Sequence, residues 1–298
     1  MNKQFKKKNI IKDNDINYQE VVLVTGGNSG IGFEFIKLCL KEKYKVIFTV
    51  RSKNKGEDTL NRLKDEYVEG QLSYMLLDLN DFNSMNSFIK EIIDGHLDIH
   101  HFYHNAGVYR LPHQMINGFE INFLSNYFAP YYLTRRLIDY FSTLPHKVHI
   151  NYIFSVTAFY YRFDINKFNP SKEFSPANIY AQTKHAVRNM YSYFLDKYPK
   201  LYFTLTHPGA TYTPLIVKGY QKGKVFQFFA KAFMKTFFHS PKKASYTYRM
   251  ALRIKDNNCY IGPRGLFELS GYPRMKKISA NYNKELIEKT NEALKEYL

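Results

Sequence analysis

The sequence predicts an α/β protein built on a doubly wound parallel sheet. Short β-branched and aromatic runs alternate with longer helical patterns along most of the 298 residues. The strand-like runs are apolar without interruption, which is typical of parallel strands covered by helices on both faces. The first of these runs leads through a glycine-rich turn into a helical pattern. Together, these observations favour a βαβ-type architecture.

The predicted elements follow one another in regular order. Candidate helices cover 30–42, 83–94, 119–143 and 180–198, and the candidate strands cover 20–25, 45–50, 72–78, 99–105, 148–155, 202–207 and 259–262. Residues 1–18 are predicted to be a flexible basic tail, and 279–298 a solvated amphipathic helix. Because no internal repeat and no linker rich in Pro, Gly or Ser divides the chain, residues 19–298 are predicted to form one domain.

Composition is that of an ordinary globular protein, with 45% hydrophobic and 23% charged residues. The net charge of +17 accompanies abundant Lys, Asn, Tyr, Ile and Phe, a bias typical of AT-rich coding sequences. No basic helix carries a DNA-reading motif and no RNA-binding signature is present, so nucleic acid is not an expected partner.

Cys39 and Cys259 lie far apart with no CxxC spacing, so they imply neither a metal site nor a disulfide framework. The N-terminus lacks the apolar segment of a secretory signal, and no run reaches the length of a membrane span. We therefore expect a soluble, intracellular, cytoplasmic protein. Contact with a membrane surface stays open.

The stretch VVLVTGGNSGIGFEF (21–35) places a glycine-rich turn between the first strand and the first helix. This arrangement directs backbone N–H groups and the positive end of the helix dipole at one point, which suits a pyrophosphate. Gly26 is expected to make the tight turn, Gly30 to let the phosphate approach, and Gly32 to let helix pack on strand. A glycine-rich βα turn without a ligand is the plainer alternative.

The spacing TGxxxGIG, from Thr25 to Gly32, resembles the cofactor loop of the short-chain dehydrogenase/reductase family. The resemblance implies a Rossmann fold and an oxidoreductase that binds a nicotinamide cofactor. In this family the loop residues Asn28, Ser29 and Ile31 join the glycines in cofactor binding. The motifs that carry the resemblance span positions 25 to 215, about two-thirds of the chain.

The end of the second strand indicates which nicotinamide cofactor is used. An acidic residue there usually binds the ribose 2′-hydroxyl of NAD, whereas an Arg accommodates the 2′-phosphate of NADP. This chain has Arg51, with Lys53 and Lys55 nearby. A guanidinium can bind phosphate through two parallel hydrogen bonds, so NADP(H) is the predicted cofactor. A solvated basic loop is the alternative.

Two further strand ends match the family. Asp78 and Leu79, in LLDLND, occupy the position where the family contacts the adenine. Asn105, Ala106 and Gly107 match its NAG motif, which lies along the cofactor. An Asp at a strand end is often only a helix cap, so the order of the motifs carries more weight than any one of them.

Tyr180 and Lys184 form a YxxxK pair on a predicted helix, where residues four apart share one face. A nearby cation favours the phenolate, which would lower the tyrosine pKa toward the range useful for proton transfer. The resemblance implies that Tyr180 is the acid–base residue and that Ser155, at the end of the fifth strand, binds the substrate oxygen. The 25-residue separation of Ser155 and Tyr180 resembles the retinol dehydrogenase-like branch. A structural strand-end serine is the alternative.

The family's fourth catalytic residue is an Asn, and the sequence offers Asn122 and Asn126. NYFAPYYLT (126–134) fits the retinol dehydrogenase-like pattern with Asn126 first. Pro130 lacks an N–H, so it cannot bond the carbonyl of Asn126 four residues earlier. In the family this carbonyl holds a water that relays protons to the lysine. Asn126 is therefore preferred, with a helix kink expected at Pro130.

THPGATYTPL places Pro208 and Gly209 after the sixth strand and matches Thr213 to the family residue that contacts the nicotinamide carboxamide. Beyond it, residues 217–243 interleave aromatic residues with lysines. The segment, within a substrate-lid region of about 215–245, could be a lid over an apolar substrate, a patch on an anionic membrane, or a helix packed on the domain.

Two functions from different classes follow. The first is an NADP(H)-dependent oxidoreductase that interconverts a carbonyl and an alcohol, with a lipophilic substrate such as a retinoid, sterol or fatty aldehyde. The second is a non-catalytic NADP(H)-binding sensor or scaffold. The presence of both Tyr180 and Lys184 favours the enzyme. A homo-oligomer is compatible with both.

Overall fold

A computed structural model of the protein describes residues 20–211 and 239–298. Its centre is an eight-stranded sheet. The strands are β1 Val21–Val24, β2 Lys45–Val50, β3 Leu72–Leu76, β4 Ile99–His104, β7 His149–Ile153, β8 Tyr202–Thr206, β9 Cys259–Pro263 and β10 Pro273–Lys277, and a two-stranded hairpin consists of β5 Met115–Ile116 and β6 Phe119–Glu120. All seven strands predicted from the sequence are present.

The sheet order is β10-β9-β8-β7-β4-β1-β2-β3. Every neighbouring pair from β3 to β9 is parallel, and only β10 runs antiparallel to its neighbour β9. The order reverses beside β1, because the chain goes from β1 to β2 on one side and reaches β4 on the other. Ligands of doubly wound sheets bind at this switch point, outside the carboxyl ends of the strands. The predicted doubly wound Rossmann sheet is confirmed.

Helices cover both faces of the sheet. They are α1 Gly30–Lys41, α2 Lys53–Leu63, α3 Phe82–Asp94, α4 Ile121–Phe123, α5 Ala129–Thr143, α6 Pro176–Lys197, α7 Pro241–Leu252 and α8 Lys284–Ala293. Successive residues of β1 point to opposite faces: Val22 and Val24 join a core with α1 and α7, whereas Leu23 joins a larger core with α3, α5 and α6. Because both faces of the sheet are buried, the strand sequences are continuous apolar runs.

The predicted helix over 119–143 differs in the structure. Residues 119–120 form β6, and a π-helical turn, Leu124–Phe128, separates α4 from α5. The N–H of Ala129 bonds the carbonyl of Leu124, one residue further back than in an α-helix. Pro130 follows at once and supplies no N–H, so the predicted helix irregularity takes the form of a π-turn.

The predicted amphipathic helix near the end of the chain corresponds to α8, and it is packed on the protein rather than solvated all round. Leu286, Ile287 and Thr290 are buried. The Tyr127 hydroxyl lies 2.7 Å from Oγ1 of Thr290, and the Tyr131 hydroxyl donates to Oδ1 of Asn291 at 2.7 Å. The helix therefore braces the start of α5 and the π-turn.

The predictions for Thr213 and for residues 217–238 of the lid segment fall outside the residues that the structure describes. Within 20–211 and 239–298, none of the helices combines the length and the hydrophobicity that crossing a membrane requires. Cys39 and Cys259 are buried free thiols.

Candidate active site

A cleft of about 870 Å³ runs along the carboxyl ends of the parallel strands. It brings together nearly all of the residues that the sequence motifs singled out. Those lining it are Gly26, Asn28, Ser29, Gly30, Ile31, Arg51, Asp78, Leu79, Asn105, Ala106, Gly107, Asn126, Ser155, Tyr180, Lys184, Pro208 and Gly209. Gly32 lies behind this wall, and Thr213 is outside the described residues.

The glycine loop has the backbone that its sequence predicts. Gly26 (φ +66°) and Gly30 (φ +59°) are both left-handed, a conformation that glycine adopts without strain. A Cβ on Gly26 would lie 2.9 Å from Cβ of Ala106, so the turn also needs a small residue. Ser29 does not cap α1 with its side chain, and the first turn contains no acidic residue. The N–H groups at this helix start therefore suit an external anion.

Asn105 fixes the loop to the sheet. Its Nδ2 donates to the carbonyl of Thr25 at 2.8 Å, and its Oδ1 accepts from the Tyr248 hydroxyl at 3.2 Å. A Cβ on Gly32 would lie 2.5 Å from Asn105 Nδ2. Gly32 was predicted to allow close packing of helix on strand, and the structure adds that it makes space for this amide. Asn105 thus holds the loop and lines the cleft at once.

The end of the cleft beside β2 and β3 is bounded by Arg51 and Asp78. Arg51 is exposed directly after β2, and Lys55 lines the cleft beside it. The Asp78 carboxylate accepts from the N–H of Asn80 at 3.0 Å, which turns the chain at the end of β3. Asn80 in turn accepts from the Ser125 hydroxyl at 2.7 Å. The cleft rim is therefore connected to the π-turn.

Tyr180 and Lys184 lie one turn apart on α6 and face the cleft, as predicted. The ammonium of Lys184 lies 5.4 Å from the centre of the Tyr180 ring and donates to the carbonyl of Ile153 at 3.0 Å. Burial lowers the pKa of Lys184 to about 8. Its charge is therefore sensitive to whatever occupies the cleft.

The acidity of Tyr180 differs from the sequence expectation. Desolvation raises the pKa of Tyr180, and the hydrogen bond with Ser155 and the charge of Arg110 oppose that rise without overcoming it. In the protein alone, the phenol is therefore protonated at neutral pH. This is the form that can donate a proton to a substrate oxygen.

Ser155 ends β7 and begins the 3₁₀ turn Val156–Tyr160. Its Oγ accepts from the N–H of Thr157 at 3.3 Å and from the Thr157 hydroxyl at 2.9 Å. The side chain thus has the structural role that was the alternative to catalysis. It also hydrogen-bonds Tyr180. The two interactions together fix Ser155 beside the phenol.

Asn126 and Asn122 have equivalent structural roles. Asn126 Oδ1 accepts from the N–H of Val108 at 2.8 Å, and its Nδ2 donates to the carbonyl of the same residue at 2.9 Å. Asn122 makes the same pair of bonds with Leu111, at 3.0 and 3.1 Å. Only Asn126 lines the cleft. A Cβ on Gly107 would lie 2.5 Å from Asn126 Oδ1, so that glycine of the NAG motif makes space for the amide.

The segment after β8 closes the far wall. Gly209 has φ +81°, and a Cβ there would lie 2.8 Å from the carbonyl of Leu269. Sequence reasoning missed Leu269, Tyr109 and Leu111, which also line the cleft. Tyr109 and Leu111 lie two and four residues after the NAG motif, and this position is the one signal that could have identified them.

Comparisons with known proteins agree with this architecture. The profile of the family described as short chain dehydrogenase matches residues 20–222. Human polyprenol dehydrogenase is 27% identical over 181 residues, which cover 59% of this chain and 54% of that protein. A short-chain dehydrogenase/reductase of Armillaria gallica is 31% identical over 121 residues, covering 40% and 39% of the two chains. The match thus spans about half the length, or less, of these curated relatives.

Solved structures share the fold at low sequence identity. An uncharacterized protein from Mycobacterium Paratuberculosis has a TM-score of 0.70 at 20% identity, covering 96% of this chain and 98% of its own. An alcohol dehydrogenase from Thermococcus sibiricus, complexed with 5-hydroxy-NADP, has a TM-score of 0.60 at 16% identity over 80% and 93% of the chains. With the family profile matching most of the chain, the protein belongs to the short-chain dehydrogenase/reductase family, whose members are oxidoreductases that use a nicotinamide cofactor.

Proposed function

We propose that this protein is an NADP(H)-dependent oxidoreductase that interconverts a carbonyl and an alcohol. The observation that carries the proposal is the convergence of Ser155, Tyr180 and Lys184 in one cleft with the glycine loop. A redox cofactor bound along the loop and a substrate oxygen beside the phenol would then share one enclosed space. Such a site fits hydride transfer coupled to proton transfer.

The cofactor, when bound, supplies or accepts the hydride. In carbonyl reduction, Tyr180 donates its proton to the substrate oxygen, and Ser155 polarises that oxygen by hydrogen bonding. Lys184 orients the ribose and supplies positive charge as the phenolate forms. The carbonyl of Asn126, which receives no bond from Pro130, holds the water that returns a proton through Lys184.

The preference for NADP(H) rests on charge at the rim of the cleft. Arg51 and Lys55 line it, and the residue after β2 is basic rather than acidic. A 2′-phosphate at this position would meet a guanidinium suited to two parallel hydrogen bonds. The family neighbour from Thermococcus sibiricus, complexed with an NADP derivative, supports the same choice.

The substrate is a lipophilic carbonyl or alcohol, of the retinoid, sterol or fatty aldehyde class. Apolar side chains line the cleft around the reacting residues, namely Val108, Leu111, Ile121, Val156, Val187, Met190 and Leu269. Such walls favour apolar ligands oriented by a few polar groups. The likeness to a polyprenol dehydrogenase is compatible with this class and with the retinol dehydrogenase-like branch.

Peripheral membrane contact through 217–243 is an additional proposal that would bring such substrates to the cleft. It rests on the alternation of aromatic and lysine residues in that segment. A homo-oligomer, too, is compatible with the proposed activity.

The test is NADPH consumption against aldehydes and ketones of increasing length, including retinal and sterol ketones, with Tyr180→Phe as the matched variant. We expect turnover with apolar carbonyls and its loss in Tyr180→Phe, while fluorescence titration gives the same NADPH affinity for both proteins. Retained turnover in Tyr180→Phe would refute the proton-donor role. NADPH binding without turnover of any carbonyl would favour a non-catalytic sensor or scaffold.

A further inference from the structure

Four side chains make a row of successive contacts, from Arg110 through the Tyr109 and Tyr180 rings to Lys184. The Arg110 guanidinium carbon is 4.9 Å from the centre of the Tyr109 ring. That ring meets the Tyr180 ring edge to face, with 4.8 Å between centroids and 76° between planes. The Lys184 ammonium lies 5.4 Å from the centre of the Tyr180 ring. Both contacts between rings and cations are within the range of cation–π attraction.

The backbone that carries Tyr109 and Arg110 is held at both ends by the two asparagines. Asn126 binds both backbone groups of Val108, and Asn122 binds both backbone groups of Leu111. Arg110 has φ +52°, a left-handed conformation that is uncommon for a residue with a long side chain. A strained residue between two clamps indicates that the direction of these side chains is tightly specified.

The charges at the two ends of the row behave differently with pH. Lys184 is buried, and its pKa of about 8 means that its charge is half lost at that pH. A guanidinium keeps its charge throughout the physiological range. Burial raises the pKa of Tyr180 most, and Tyr109 raises it further, whereas a hydrogen bond with Ser155 and the charge of Arg110 lower it. Burial and, to a smaller extent, the nearby Tyr180 phenol raise the pKa of Tyr248. Arg110 is therefore the permanent positive charge of this set.

We propose that Tyr109 and Arg110 extend the pair Tyr180–Lys184 into one functional unit, in which Tyr109 positions the reacting phenol and Arg110 stabilises its phenolate. Both are positioning residues, and this role rests on the proposed function of Tyr180. During carbonyl reduction the phenol loses its proton to the substrate oxygen. Arg110 favours that loss whatever the protonation state of Lys184.

The test measures the phenol directly, without turnover. Incorporation of 3,5-difluorotyrosine at position 180 increases the intrinsic acidity of the phenol and brings its titration into an accessible range, followed by ¹⁹F NMR. We expect Arg110→Gln to raise the titration midpoint by about one pH unit. Arg110→Lys should move it much less, since the charge remains. Arg264→Gln is the matched control, because Arg264 makes a similar contact with an exposed ring, 5.8 Å from Tyr272.

Tyr109 is tested in the same way. Tyr109→Phe keeps the ring but removes the phenol that raises the pKa of Tyr180, so it should lower the midpoint. Tyr109→Leu also removes the ring that Arg110 contacts, so its midpoint should lie above that of Tyr109→Phe. In the Tyr109→Leu background, Arg110→Gln should have little further effect. An unchanged midpoint in Arg110→Gln, with folding verified by circular dichroism, would overturn the proposal. The midpoint is measured without substrate, so this test and the test of the proposed function can fail separately. Absence of carbonyl turnover would refute the proposed function and would not affect the titration of Tyr180.

Discussion

The Asn126 side chain binds both backbone groups of Val108, so a π-turn of one element and the NAG-containing segment of another are held as a unit. Asn122 repeats the arrangement with Leu111 one helical turn earlier. The sequence motif favoured Asn126 over Asn122, and the structure distinguishes the two by their location. Both hold the same segment, and only Asn126 reaches the cleft.

Replacing either asparagine should destabilise the protein to a similar degree. Asn126→Ala and Asn122→Ala each leave an N–H and a carbonyl without their partner, which costs about 1–3 kcal/mol. Urea unfolding measures this loss. Turnover should fall further in Asn126→Ala, because loss of the side-chain bonds with Val108 frees the turn that carries the main-chain carbonyl of the proposed proton relay. Alanine keeps that carbonyl, so equal losses of kcat in the two variants would mean that the Asn126 side chain does not position it.

Gly107→Ala should act through Asn126. The added methyl would lie 2.5 Å from Asn126 Oδ1, so the amide must move and its bonds with Val108 weaken. We expect a loss of about 1–3 kcal/mol in urea unfolding. In an Asn126→Ala background the same change should cost far less, because the atom that it meets is gone. Additive losses would argue against this contact as the cause.

Arg51→Asp should shift the cofactor preference toward NADH. The substitution removes the guanidinium that would bind a 2′-phosphate and places a carboxylate where a ribose hydroxyl would be bound. The ratio of kcat/KM for NADPH and NADH is expected to fall by at least about tenfold, mainly through KM. Lys172→Asp, a change of the same charge at an exposed position, serves as the control. An unchanged ratio would refute the role of Arg51.

Lys184 should make stability depend on alkaline pH in the absence of cofactor. Its pKa falls from 10.5 to about 8 on folding, so below pH 8 the lysine is charged in both states and its burial is unfavourable. Between pH 8 and 10.5 the unfolded chain binds more protons at this site, and stability rises with pH. Relative to Lys184→Met, the wild type should gain up to about 3 kcal/mol across this window.

Urea unfolding of both proteins at pH 7, 8, 9 and 10 measures this difference. Lys172→Met, at an exposed lysine, should follow the wild type throughout. Parallel stability curves for the wild type and Lys184→Met would mean that Lys184 keeps its ordinary acidity in the folded protein.

The sequence predicted those parts of the site that depend on local periodicity. An apolar run ending in a polar residue marks Asp78, Asn105 and Ser155 at strand ends, and parallel strands bring their carboxyl ends to one edge. The four-residue spacing of Tyr180 and Lys184 gives one helix face. These relations follow from the geometry of single elements and of the sheet, so they could be predicted before the structure.

Other features depend on contacts between distant segments. β10, Pro273–Lys277, is basic and lacks an apolar pattern, and its strand conformation comes with its antiparallel pairing to β9. The pKa of Tyr180 was expected to fall beside Lys184, but desolvation, which depends on the whole cleft, outweighs its neighbours. No sequence spacing predicts the row of contacts that includes Tyr109 and Arg110.

The packing of α8 has a consequence for how the protein acquires its site during synthesis. Thr290 lies 163 positions downstream of Tyr127, its partner beside the π-turn. A nascent chain that has not yet emerged beyond residue 293 lacks the brace under the turn that carries Asn126. Strands β1 to β4 and the glycine loop leave the ribosome much earlier. The turn that carries Asn126 therefore receives this support later in translation than the part of the sheet that carries the glycine loop is made.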